Sequence, residues 1–493
     1  MEGSLIKKST MGAFWQLFGG GWQTVIRLFA SFFLARILTP GDFGLFGLAL
    51  LSQEFIAYIG AIGMNAGLIA KKSALDEDYC TFFWCTTSVR LIMYMISFFS
   101  APVFSILFNE PRLTSLLRVS SLVFLITIFE TVPQTKLYKG INFKIMNLSK
   151  SISVTIESFL AIIFVIFLDL SYWGLCYAMV ISSLFYSLFI FLYVGWRPRL
   201  VFSKRSFSYL YKYGINGLGY SIVSYFNNNI DYFLIGRFLG TEKLGLYEYA
   251  YKIPHMIYAR VAQPISVVIF PSLSEIQDDS NAVASYFEST LVCVSVVIFP
   301  MLFGLASIAD ILVPVFWGAQ WGAIVIPLQI LCLSSILKCI PQGIGAVFHC
   351  KGRPDIIFKI SVLGVFWSFL WVGFLAYFFG VTGVAVGMVL STFPSYLNLM
   401  IAYKMLGKSI LRPFRKILPI LIVSSLSSFS IIILRYFLFD DLFNNSFVIL
   451  LSVLIFIFVY FFFYRFLFRR LYDEIIHFVE TFLPFRVPSV FHL

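Results

Sequence analysis

Apolar stretches about 20 residues long follow one another along nearly the whole sequence. That is the length of α-helix needed to cross about 30 Å of hydrocarbon at about 1.5 Å per residue. Hydrocarbon offers no water to a backbone N–H or C=O, so such stretches form helices that close their own hydrogen bonds. The blocks predict spans at 12–38, 43–69, 82–108, 113–133, 147–168, 171–194, 213–239, 244–271, 284–305, 322–346, 356–379, 381–404, 416–438 and 446–468. The expected fold class is therefore an all-α polytopic membrane protein of about 14 transmembrane helices. Of the 493 residues, 60% are hydrophobic and 12% charged, where a soluble surface needs about twice that charge. The connectors are mostly shorter than about 20 residues, which leaves no room for a soluble catalytic module.

The formal charge of +12 could suggest a nucleic-acid partner, but its distribution points elsewhere. Basic residues fill alternate connectors, Lys136, Lys139 and Lys144; Arg197, Arg199, Lys204 and Arg205; Lys351 and Arg353; Lys404, Lys408, Arg412, Arg415 and Lys416, with the exception of 272–283, which carries Glu275, Asp278 and Asp279 and no Lys or Arg. Lys7, Lys8, Arg469 and Arg470 at the ends fall on the same side. Roughly 25 positive charges then face one side and about 6 the other, so both termini are expected in the cytoplasm and the span count is even. The short basic start, Met1 to Lys8, precedes an apolar stretch too long for a signal peptide and reads as an uncleaved first helix. Seven cysteines are scattered without a Cys-x-x-Cys pair. Only Cys350 adjoins a histidine, His349, so the thiols read as apolar helix residues, and neither a metal site nor a cofactor is expected.

The chain repeats itself. The run from Ala35 and Arg36 through Thr39, Pro40, Asp42 and Gly44 to Ala49 returns 201 residues later, from Gly236 and Arg237 through Gly245 to Ala250. Lys139-Gly140 pairs with Lys351-Gly352, and the run Gly174 to Ser182 with Gly383 to Ser391. The matches keep their order, which implies two homologous six-helix halves of the same orientation, 1–204 and 205–411. Two appended helices (412–470) and a cytoplasmic tail (471–493) complete the expected plan. Parallel repeats that rock about a cavity are an alternating-access design.

The run Leu34 to Phe46, its echo in the second half and the 6+6+2 plan together resemble the polysaccharide transporter family. This family holds the O-antigen and exopolysaccharide flippases of the MOP superfamily, which also includes the drug-extruding MATE proteins. The likeness covers the chain up to about Arg470, and the echo departs from it at Gly240 and Lys243. It implies a bacterial inner-membrane flippase. Such a protein moves undecaprenyl-pyrophosphate-linked oligosaccharide units from the cytoplasmic to the periplasmic leaflet and delivers them to polysaccharide polymerase machinery.

Ionisable residues within a span are costly, and they face a cavity or a partner. In the first span Gln16, Gly20, Gln23, Arg27 and Ser31 share one helix face, and in the seventh so do Asn216, Tyr220, Ser224, Asn227, Asn228 and Asp231. Glu248, Lys252 and His255 share a face of the eighth span, with Arg260 beside it. Glu54, Tyr58 and Asn65 lie in the second span; Arg90, Glu130 and Glu157 lie in the third to fifth. A sugar–pyrophosphate headgroup needs cations for its phosphates, and Arg27, Arg90, Lys252 and Arg260 are the candidates. Amides and rings suit the sugar: Asn227, Asn228, Tyr220, Tyr225, Tyr251 and Tyr258. Arg36 and Arg237, at outer helix ends, read as structural.

The 201-residue offset matches Arg27 with Asn228, Glu54 with His255 and Ala30 with Asp231, so the cationic cavity is expected to be lopsided. Asp231, Glu54 and His255 are candidates for binding a coupling H+ or Na+, with static pairing to Arg27 or Lys252 as the alternative. Pro254, Pro264 and Gly19 to Gly21 are candidate bends. A MATE-like exporter of drugs or small metabolites is the runner-up, disfavoured by a cavity that would repel cationic drugs. A membrane polymerase or ligase would need a large outward loop, and no nucleophile–base pair occurs, so no enzyme is expected.

Overall fold

A computed structural model describes residues 2–60, 63–71, 73–215, 218–435, 437 and 445–467. The expected tail 471–493 lies outside them. All regular structure among the described residues is helical, in the order α1 (Glu2–Ile37), α2 (Pro40–Gly60), α3 (Met64–Ala70), α4 (Asp76–Phe108), α5 (Arg112–Ser120), α6 (Leu122–Ile126), α7 (Thr131–Lys139), α8 (Phe143–Ile166), α9 (Tyr172–Val194) and α10 (Lys204–Ile215). There follow α11 (Leu218–Phe238), α12 (Gly240–Glu275), α13 (Ser280–Trp317), a 3-10 turn (Ala319–Ile324), α14 (Val325–Cys339), α15 (Gly345–Cys350), α16 (Pro354–Leu390), α17 (Phe393–Met405), α18 (Leu411–Leu434) and α19 (Asn445–Leu467).

Nine of the described helical stretches are long and apolar enough to cross a membrane, or ten when the bent pair formed by Arg112–Ile126 and Thr131–Lys139 is taken as one. The protein is thus an all-helical, polytopic membrane protein. The difference from about fourteen expected spans has identifiable sources. Helices α1, α11 and α12, which carry the polar faces singled out above, are not among the nine. Pro354–Met405 is one stretch by that test, although Gly380 inside it holds a left-handed φ of 58° that breaks the helical path.

Several expected spans are interrupted, each at a residue that helix geometry rejects. The fourth bends by 50° just before Pro133, whose ring and missing N–H disfavour helix one turn upstream. The second stops at Gly60 and resumes after Gly63, which has φ 42°. The tenth is α14 and α15, parted around Pro341 and Gly343, the latter at φ 81°. The ninth is longer than expected, 38 residues. Helix α12 runs unbroken through both Pro254 and Pro264.

The chain divides into two compact units, 1–248 and 249–493. This is a division by packing, whereas the 204/205 boundary expected from the repeat is a division by sequence. In the first unit α8 packs along both α1 and α9, and α2 lies against α4, α5 and α11. One buried cluster gathers Leu68, Phe82, Phe83, Val132, Trp196 and Leu210 from α3, α4, α7, α10 and the connector after α9. In the second unit α13 is the centre, packed on α14, α18 and α19, while α16 packs on α14 and α17.

The repeated motif has a structural reason. Thr39 and Asp42 form a capping box at the start of α2: the Asp42 carboxylate accepts from the Thr39 N–H at 3.0 Å, and the Asp42 N–H donates to the Thr39 hydroxyl at 3.3 Å. Pro40, the first helical residue, has no N–H to leave unsatisfied. The echo departs at Gly240 and Lys243, which stand 201 residues after Thr39 and Asp42, so it lacks both members of the box. The glycines are kept for a different purpose. A Cβ on Gly44 would sit 1.7 Å from the Thr241 carbonyl oxygen, and one on Gly245 would sit 1.8 Å from that of Pro40. Pro40 and Thr241 are themselves 201 residues apart. The first turns of α2 and α12 therefore cross backbone to backbone through reciprocal contacts, the pattern a two-fold relation between these segments requires.

Candidate functional site

The polar stripe of α1 is for the most part a seam against α8. Gln23 donates to the Ser151 hydroxyl at 3.4 Å, Ser151 to the Gly19 carbonyl at 3.3 Å, and Trp22 to Thr155 at 3.0 Å. Gly19 permits the approach, since a Cβ there would meet that of Asn147 at 2.9 Å. Arg27 stands at the edge of the seam, 3.8 Å from the Glu157 carboxylate, with its side chain 56% exposed. A guanidinium has five N–H donors, and one loose contact leaves most of them available to phosphate oxygens.

Across α2 and α11, the exposed Glu54 is hydrogen-bonded to Asn229, a residue outside the expected set. Asn227 donates to the Val223 carbonyl at 3.2 Å, and the exposed Asn228 contacts Ser224 at 3.4 Å. Asp231 is fully buried and accepts a 2.5 Å bond from the Tyr247 hydroxyl. Tyr225 is buried, its hydroxyl donates to the Leu51 carbonyl at 3.0 Å, and its ring packs against Phe55 and Tyr58, so it holds α2 to α11. The side chain of Tyr220 lies outside the described residues.

Arg90 reaches across to the Thr127 hydroxyl and lies within electrostatic reach of Glu130, which also feels Lys150. These groups gather where the fourth span bends, inside the first unit. Arg90 is thus drawn into an internal network.

In the second unit the Tyr251 and His255 rings stack at 4.9 Å, and Tyr258 lies 6.2 Å beyond His255. The Lys338 ammonium on α14 stands 5.6 Å from the Tyr251 ring centre and within electrostatic reach of His255. Tyr258 donates to Gln342 at 2.5 Å, tying α12 to the segment after α14. Lys252, the next residue along α12, points its ammonium over the Tyr249 ring at 5.2 Å, and Arg260 is exposed. The result is one stacked ring pair, Tyr251 and His255, beside the Lys338 ammonium, which offers flat faces to sugar C–H groups and a cation to phosphate.

Sequence reasoning passed over Lys338, although an ionisable residue inside an expected span was the signal. It also passed over Glu288 of α13. That carboxylate is fully buried and paired with Arg412 at 3.1 Å and Lys416 at 3.0 Å, while Tyr403 donates to it at 3.3 Å. This cluster fastens the start of α18 to α13.

Comparison with known proteins bears on the assembly as a whole. Residues 33–326 match the polysaccharide biosynthesis protein family. The lipopolysaccharide biosynthesis protein WzxC of Escherichia coli K12 is 26% identical over 85% of this chain and 88% of its own. The teichuronic acid biosynthesis protein TuaB of Bacillus subtilis 168 is 25% identical over 72% of this chain and 74% of its own. Among solved structures, the lipid II flippase MurJ in an inward closed conformation superposes with a TM-score of 0.77 at 16% identity, over 94% of this chain and all of that one. An inward-facing MATE multidrug transporter of the MOP superfamily gives 0.60 at 16% identity, over 78% and 94%. At such identities the likeness to solved structures is one of fold, and the family follows from the sequence match: the chain belongs to the polysaccharide biosynthesis protein family.

Proposed function

We propose that this protein is a flippase that moves undecaprenyl-pyrophosphate-linked oligosaccharide units from the cytoplasmic to the periplasmic leaflet by alternating access. The observation that carries the reading is the α12–α14 face, where the stacked Tyr251 and His255 rings stand beside the Lys338 ammonium, with Lys252 of the same helix over the Tyr249 ring. Membership of a polysaccharide biosynthesis family supports a glycan cargo. On this reading Arg27, Lys252, Arg260 and Lys338 receive phosphate, while Asn227, Asn228, Tyr220 and Tyr251 meet sugar. Arg90 acts at one remove, by holding the bent fourth span. Glu54 and His255 sit among polar partners and are the stronger candidates for ion coupling; the buried Asp231 contributes through Tyr247.

Further parts of the proposal are fourteen spans, two six-helix repeats divided near 204/205, appended helices at 412–470 and cytoplasmic termini in a bacterial inner membrane. Polymerase machinery would take up the product, and the protein would itself make no covalent change. The MATE-like alternative draws on a shared fold, but that likeness covers 78% of this chain against 94% for the lipid II flippase. A cationic face also repels cationic drugs.

Mutants in the source organism test the proposal. Arg27→Ala and Lys252→Ala should each cut surface polysaccharide at least tenfold while membrane protein level stays normal. Normal polysaccharide in both variants would refute the phosphate-holding assignment.

A further inference from the structure

The connector after α9 and the helix α10 form a surface to which the proposed function assigns no role. One side is locked to the protein. Ser206 donates to the buried Asp78 carboxylate at 2.5 Å, and Lys71 bonds the same carboxylate at 2.7 Å. Trp84 donates to the Arg199 carbonyl at 2.8 Å, the Ser203 N–H to Thr81 at 3.0 Å, and Leu210 is buried against α3 and α4. The segment is therefore fastened to α3 and α4 within the first unit.

The other side is open and of a single chemical kind. Arg197, Arg199, Lys204, Arg205 and Lys212 are all exposed. Residues 195–215 include no acid, and Asp76, 3.9 Å from Arg199, is itself half exposed. Among the cations stand Leu200, 91% exposed, and an aromatic ladder of Phe202, Phe207 and Tyr211 with ring centres 5.8 and 5.7 Å apart. A basic, aromatic helix lying beside transmembrane spans has the composition of a segment that rests in the headgroup layer. A soluble partner would leave Leu200 and the ladder to be covered by protein of unspecified kind. A leaflet, by contrast, adjoins this segment already, because the spans before and after it lie in the bilayer.

We infer that residues 197–212 are a binding surface for anionic phospholipid headgroups of the adjoining leaflet, with Leu200 and the Phe202–Phe207–Tyr211 ladder inserted among the acyl chains. The cations would attract lipid phosphates over about a Debye length, each raising local anionic-lipid occupancy about fivefold, the equivalent of about 1 kcal/mol. The full-length protein, reconstituted in nanodiscs of phosphatidylcholine with or without phosphatidylglycerol, is released and its retained lipid counted by native mass spectrometry. The variant Arg197→Gln/Arg199→Gln/Lys204→Gln/Arg205→Gln/Lys212→Gln should lose retained phosphatidylglycerol at least fivefold. Lys404→Gln/Lys408→Gln, at a different connector, should retain it, and gel filtration checks that both variants are folded. Equal retention in the five-site variant and the native protein overturns the inference, as does an equal loss in the control variant. Neither outcome depends on the cargo, so the transport proposal stands or falls separately.

Discussion

Glu110 shows how single residues fasten the connectors between spans. Arg112 meets its carboxylate through two bonds of 2.8 and 3.0 Å, and Thr241 adds a longer one at 3.5 Å. Hydrogen bonding from Arg112 holds the Glu110 carboxyl below the usual range. Because the folded pKa is depressed, this contribution is complete above the unfolded value of about 4.3 and is lost as pH falls through the lower folded value. Glu110→Gln should therefore lower the melting temperature in detergent at pH 7, and the gap to the native protein should close below about pH 4. A gap that persists undiminished at acid pH would contradict this. The candidate site was partly legible at the same scale. Lys252, His255, Tyr251 and Arg27 stood out as polar residues at helical spacing within apolar runs; the structure stacks the Tyr251 and His255 rings and turns Lys252 toward Tyr249. Tyr225 could not be judged in this way, because whether a tyrosine faces a cavity or a neighbouring helix depends on packing that spacing does not encode. Lys338 was passed over because its partners, Tyr251 and His255, come from a helix more than 80 residues away in sequence.

Among elements, the α2–α12 crossing is the most demanding contact. Its two glycines bring backbones together where any side chain would overlap a carbonyl. Gly44→Ala should destabilise the protein by about 2 kcal/mol or more, seen as a lower melting temperature and reduced membrane level. Gly41→Ala, where a Cβ meets nothing closer than 3.7 Å, should be near neutral by the same assay. Equal behaviour of the two variants would argue against the crossing. The repeat that reveals this contact was visible in the sequence, since backbone proximity permits only glycine and so preserves the pattern in both copies. Helix interruptions were less visible. Pro133 and Pro341 mark two of them, but Gly63 and Gly380 look like any other glycine in a membrane helix until their positive φ is known. The amphipathic α10 was read only as a basic connector, because 12 residues are too few to register as a span.

For the whole molecule, hydrophobic blocks long enough to cross a bilayer dictated an all-helical membrane protein, and the match to a polysaccharide biosynthesis family agrees with the resemblance carried by Leu34 to Phe46. The account's central claim is movement of a lipid-linked glycan between leaflets. The direct measurement places purified protein in vesicles loaded with fluorescent undecaprenyl-pyrophosphate-linked oligosaccharide isolated from the source organism, and follows its exposure to a membrane-impermeant glycan-cleaving enzyme. The account predicts that native protein renders the inner-leaflet pool cleavable, while Lys252→Ala/Lys338→Ala at equal reconstitution leaves it protected as in protein-free vesicles. Protection unchanged by the native protein, or equal cleavage with the double variant, would contradict it.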